Sequence, residues 1–155
     1  MEYVDRQKCF EEIIDSAIVD ISKRIAKIDV TKQETAQFLN EDLYVVYVNM
    51  EGDYVLRIAL YTSGEVLRGI TQNMKRGVEP TDFEVEAYTK EFFNIICGHV
   101  IRAINKQSKM GARFKIPTFE KGVEIQTWPS GFEDLMEAFY NSPYGLIKIE
   151  VLYKS

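Results

Sequence analysis

The chain has 155 residues, with 19 Lys and Arg against 24 Asp and Glu, a formal charge of −5 at pH 7. The two signs are interleaved, which leaves no basic face for a nucleic-acid backbone or an anionic membrane. No apolar run approaches the roughly 20 residues of a membrane span.

A chain of this length reads as one domain, residues 1–155, able to bury a core without a disulfide or structural metal. Met1-Glu2-Tyr3-Val4-Asp5-Arg6 lacks the pattern of a signal peptide. Cys9 and Cys97 fall on separate apolar helical stretches and read as buried free thiols in a reducing compartment. The expected location is the cytoplasm.

In chain order, Asp5 to Lys27 reads as an amphipathic helix, with Phe10, Ile13, Ile14, Ala17, Ile18, Ile21 and Ile25 on a 3.6-residue period. Thr31 is placed to cap a short helix, with Glu34 at the capping-box position. Leu43–Met50 and Tyr54–Tyr61 are rich in β-branched and aromatic residues and flank Glu51-Gly52-Asp53, a hairpin signal. Tyr44, Tyr47, Tyr54 and Tyr61 read as cross-strand packing.

A second helix is expected over Ser63–Arg76, capped by Thr62 or Ser63 and closed by Gly77. Pro80-Thr81-Asp82 opens a third and longest helix, running to about Lys109. Strands are expected at Arg113–Ile116, Val123–Trp128 and Leu146–Tyr153, with Trp128 as a strand-end anchor. The composition of Phe132–Tyr140 favours helix. The hairpin connection Asn141-Ser142-Pro143-Tyr144-Gly145 favours strand, and strand is taken. The class is α+β: an antiparallel β-sheet with long α-helices packed on it.

The usual catalytic tools are scarce. His99 is the single histidine and reads as a partly buried structural residue, so a Ser-His-Asp or Cys-His arrangement has no strong form. No metal-ligand spacing and no Walker or Rossmann glycine pattern occurs, so no metal site of the chain's own is expected. What stands out is the third helix. Val85, Phe92, Ile96, Val100 and Ala103, widened by Phe93 and Ile104, form an apolar stripe. Glu84, Ala87, Glu91, Asn94, Gly98, Arg102 and Asn105 form a polar or small one. Gly98 in mid-helix costs roughly 1 kcal/mol against Ala, and it would let a partner approach Glu91 and Asn94.

An Asn amide both donates and accepts hydrogen bonds. It suits the holding of a water in line with an electrophile, as in phosphoryl transfer. A Glu one turn away could pair with a partner's cation and fix the docking register. On spacing alone the pair is also compatible with ordinary solvated surface.

The stretch resembles the CheC/CheX/FliY family of response-regulator phosphatases. That family's motif is an Asp or Ser, three residues, Glu, two residues, Asn, then a distant Pro. Glu91 and Asn94 match, Pro117 falls at the expected distance, and Gly98 sits where these helices commonly carry Gly. The order of elements is similar to the single-site CheX branch over essentially the whole chain. Ala87 departs from the motif, standing at the Asp/Ser position.

The resemblance implies a CheC-like fold and a phosphorylated CheY-like receiver as partner, docked on the third helix. Asn94 would orient the water that attacks the aspartyl phosphate, and Glu91 would pair with a receiver Lys. Ala87, Gly98 and Arg102 would face the partner. Pro117 would shape the strand beside the helix. The receiver would supply Mg²⁺, with no cofactor of the chain's own. It also implies a homodimer joined through the sheet, and one site per protomer, since the first helix has no Glu-x-x-Asn. The competing reading is a non-catalytic module of the same fold that binds and titrates a receiver.

Overall fold

The computed structural model describes residues 3–34, 42–51, 55–108, 113–114, 116–121 and 131–154. Helix α1 spans Tyr3–Ile25, α2 Gly64–Met74 and α3 Asp82–Ser108. The strands are β1 (Thr31–Gln33), β2 (Leu43–Glu51), β3 (Val55–Ser63), β4 (Arg113–Phe114), β5 (Thr118–Lys121), β6 (Glu133–Ser142) and β7 (Gly145–Lys154). They form one antiparallel sheet in the order β1-β6-β7-β3-β2, with β4 and β5 both paired to the outer edge of β2.

Alternation along the strands separates two faces. Val46, Val48 and Met50 of β2, Leu56, Ile58 and Leu60 of β3, and Ile147, Ile149 and Val151 of β7 point to one side. There they meet Ile14 and Ile18 of α1, Val66 and Ile70 of α2, and Phe92, Phe93 and Ile96 of α3 in one core. The odd-numbered residues Leu43, Val45, Ala59 and Tyr61 form a smaller cluster on the other face, with Tyr47 against it. Cations cover this second cluster. The Arg57 guanidinium lies 5.0 Å from the Tyr47 ring centre and the Lys148 amine 5.3 Å from that of Tyr61. Tyr44 instead packs on Phe119 of β5, ring centres 5.5 Å apart. These three tyrosines are therefore cross-strand packing residues, whereas Tyr54 lies outside the described residues.

The sequence reading is corrected at several points. Thr31 caps no helix: Thr31–Gln33 is an edge strand paired with Phe139–Asn141. Its three polar side chains are all exposed, and Lys32 is held across the layers by Glu11 and by Asp15 at 2.8 Å. Those ion pairs and the free edge of β6 outweigh a weak local capping signal. β5 was not expected, and Ile116 lies outside β4. The strand expected at Val123–Trp128 lies outside the described residues. Cys97 is buried, but Cys9 is only half-buried. Phe132–Tyr140 does fall largely in a strand, β6, because its long pairing with β7 overrides helix-favouring composition.

Tyr140 ties β6 to α1: its buried hydroxyl donates a hydrogen bond to Asp15. Burial first, and then the Asp15 carboxylate, raise the Tyr140 pKa well above the ordinary phenol value of 10.0. The neutral phenol is thus favoured in the folded state. Its stabilisation is complete below about pH 10 and is lost as pH rises, because the unfolded phenol ionises first. Tyr140→Phe should cost about 1–3 kcal/mol of unfolding free energy at neutral pH. It should also flatten the fall in stability above pH 10, as read by denaturant titration at several pH values.

Candidate functional site

The start of α3 is built by local sequence and pinned by α2. Thr81 and Glu84 form a reciprocal capping box: the Glu84 N–H donates to Thr81 Oγ1 at 3.2 Å, and the Thr81 N–H to Glu84 Oε1 at 3.0 Å. Arg68 of α2 donates to the Pro80 carbonyl at 2.9 Å and to Asp82 Oδ1 at 2.6 Å. Lys75 pairs with Glu84 at 2.6 Å. Lys75 first, and then the Thr81 N–H, hold the Glu84 carboxyl below its usual pKa.

Beyond this corner the apolar stripe seats α3 on the sheet and on α1. Phe92, Phe93, Ile96, Cys97, Val100 and Ile104 are all buried. Val85 and Ala103, expected on this stripe, are only half-buried because they lie at its margin. Burial pushes the Cys97 thiol pKa far up, so it stays protonated and is no nucleophile.

The opposite stripe is left open. Glu91, Ala87 and Arg102 are exposed, and Asn94 and Gly98 are half-buried. Glu91 makes no ion pair or hydrogen bond among the described residues. One turn separates it from Asn94, with Cβ atoms about 5–6 Å apart by helix geometry. A Cβ added at Gly98 would meet only Arg102 Nη1, at 3.6 Å. The Arg102 guanidinium therefore folds back one turn toward Asn94, as helical side chains do. Five of the six predicted site residues thus share one helix face. The sixth, Pro117, is buried at the head of β5, the strand whose Phe119 lines a cleft together with Val85 and Glu86 of α3.

That cleft, of about 510 Å³, lies between the first turns of α3 and α2 and the β2–β5 edge, and Asp42, Tyr44, Arg68 and Asp82 also line it. None of the predicted site residues does. The Glu91–Asn94 face is a convex ridge, unable to enclose a small molecule and open to a second surface. Among the described residues no cluster of His, Cys, Asp or Glu could hold a metal ion, and no helix is long and apolar enough to cross a membrane. β5 itself was missed from the sequence, because its four residues, Thr118–Lys121, do not alternate between buried and exposed and so carry no strand signal.

A family model described as the chemotaxis phosphatase CheX matches residues 44–139, which include the ridge and Pro117. The chain belongs to the CheX family. The fold is shared with a CheX chemotaxis protein from Vibrio vulnificus (19% identity over 94% of this chain and 96% of that one, TM-score 0.77). It is shared with a CheX protein from Desulfovibrio desulfuricans (14%, 94% and 99%, TM-score 0.76). It is shared also with a CheX–CheY–BeF₃–Mg²⁺ complex from Borrelia burgdorferi (16%, 99% and 99%, TM-score 0.72). A comparison with curated proteins finds no match. These likenesses establish an α+β CheC/CheX-like architecture for this chain.

Among the described residues nothing in this CheX-family chain needs a glycine at 98. Gly98→Ala should raise the unfolding free energy by about 0.5–1 kcal/mol. Glu91→Ala and Asn94→Ala should each leave it within about 0.5 kcal/mol of the parent. Urea denaturation checks all three, and a destabilised Gly98→Ala would show that the fold itself requires the glycine.

Proposed function

We propose that this protein dephosphorylates a phosphorylated CheY-like receiver in chemotaxis or a related two-component pathway. The observation that carries the reading is the coincidence of the family motif with the open ridge. Glu91 and Asn94 lie together on the solvent face of a helix whose other face is fully engaged. Support also comes from membership of the CheX family and from the CheX–CheY complex among the related structures.

The receiver docks along α3, and the Asn94 amide enters its phosphorylated pocket. There the amide accepts a hydrogen bond from a water and holds the water's oxygen in line with the phosphorus. The water oxygen bonds to phosphorus while the bond from phosphorus to the aspartyl oxygen breaks. Inorganic phosphate leaves, the receiver carboxylate is restored, and the water's proton passes to the phosphate or to solvent. Glu91 pairs with a Lys of the receiver and fixes the register. Ala87, Gly98 and Arg102 lie under the docked partner, and Pro117 keeps β5 in place beside the helix. In this reading Mg²⁺ is held by the receiver's own acidic pocket, and this chain needs no cofactor of its own.

A second reading rests on Ala87, which presents no polar group where the motif has Asp or Ser. On that reading the protein binds and titrates a receiver without turnover. On either reading it acts in the cytoplasm and pairs through a sheet edge into a homodimer. Among the described residues β4 and β5 form the outer edge of the sheet, and that edge is where such pairing would occur.

The deciding measurement is the half-life of a phosphorylated CheY-like receiver with Mg²⁺, with and without this protein. Decay should accelerate. Asn94→Ala should remove about a hundredfold or more of the acceleration while still binding, and Ala87→Asp should increase it. Unchanged decay with retained binding would favour the titrating module. Light scattering should return twice the protomer mass.

A further inference from the structure

Phe83 is an aromatic residue that the fold does not use. It is 80% exposed and makes no ring contact among the described residues. A single exposed apolar side chain needs no explanation in itself; its place does. Phe83 stands three turns before Asn94, so the two point within about 20° of each other and are about 16 Å apart along the axis. Ala87 lies between them on the same line. The turn that carries Phe83 is also the most firmly held part of α3, fixed by the Thr81–Glu84 capping box, by Arg68 and by Lys75. None of those contacts involves Phe83. The ring is therefore presented to solvent on a rigid mount, which lowers the ordering cost of burying it in a complex.

Resting on the receiver-docking reading above, we infer that Phe83 is the apolar anchor of the docked partner. It enters a hydrophobic depression on the receiver about 16 Å from the phosphorylated carboxylate. Ala87 presents no polar group where the motif has Asp or Ser, and the Lys90–Glu86 ion pair, at 3.7 Å, flanks it, so Phe83 is the large apolar side chain available for burial at this end of the ridge. Aromatic side chains seated in a partner's pocket are the residues that most often dominate binding. Phe83 touches no reacting atom: it is a positioning residue.

Phe83→Ala and Phe83→Leu test this in the full chain, with far-ultraviolet circular dichroism confirming the fold. The KM for a phosphorylated CheY-like receiver should rise about tenfold or more in Phe83→Ala, and less in Phe83→Leu. The kcat should stay within about twofold of the parent. Affinity for the receiver loaded with BeF₃⁻ and Mg²⁺ should fall in parallel. Unchanged KM and affinity in Phe83→Ala would overturn the anchor. The phosphatase reading would survive that result if the parent still turns over and Asn94→Ala does not. A parent that binds without turnover leaves the titration to decide the anchor alone, and a parent that neither binds nor turns over defeats both. Loss of a dimer in Phe83→Ala, seen by light scattering, would place the ring against a second copy and overturn the assignment.

Discussion

The architecture depends on how α3 is divided. Phe92, Phe93, Ile96, Cys97, Val100 and Ile104 give it a continuous buried side, and burying such side chains is worth about 1.5–3 kcal/mol each for the larger ones. That burial fixes the helix's rotation about its own axis. A rotation of one residue, about 100°, would bring Glu91 or Arg102 toward the sheet and expose a Phe. The presentation of Asn94 is thus determined by residues that take no part in the chemistry. The corner with α2 fixes the remaining freedom, sliding along the axis, through Arg68, Lys75 and the Thr81–Glu84 cap.

This division explains why Glu91 and Asn94 lie on a ridge rather than in a pocket. A helix face open to solvent cannot shield a nucleophile or tune a general base by burial, and the chain's buried thiol is pushed away from reactivity. An amide and a carboxylate in water are inert by themselves. In the proposed function their use is positional, and it begins when a second surface closes over them.

Much of this was legible in the sequence for a local reason. Helix faces follow from spacing alone, so the ridge Ala87–Glu91–Asn94–Gly98–Arg102 could be drawn before any tertiary contact was known. The helix ends were legible too, because Ser63 and Thr81 carry their own capping chemistry. Where neighbours decide, the reading lost accuracy. Thr31–Gln33 has no strand signal and becomes a strand because β6 and the carboxylates of α1 receive it. Val85 sits at the core margin because a cleft opens between β5 and α2. β6 reads as helix by composition; the hairpin connection that follows it pointed to strand, and its long register with β7 bears that out.

The order of the strands sets when this protein can fold. β3, at the centre of the sheet, is flanked by β2, its immediate neighbour in sequence, and by β7, the last strand of the chain. All eight residues of Val55–Thr62 find partners in Ile147–Lys154, far along the chain. On the ribosome, β2 and β3 can close a hairpin early, but one long side of β3 stays unpaired until Gly145–Lys154 emerges. The Glu91–Asn94 helix is made before the sheet that must orient it is complete. The orientation of that helix is therefore completed only once β7 is made, and until then the nascent chain carries an open β edge along β3.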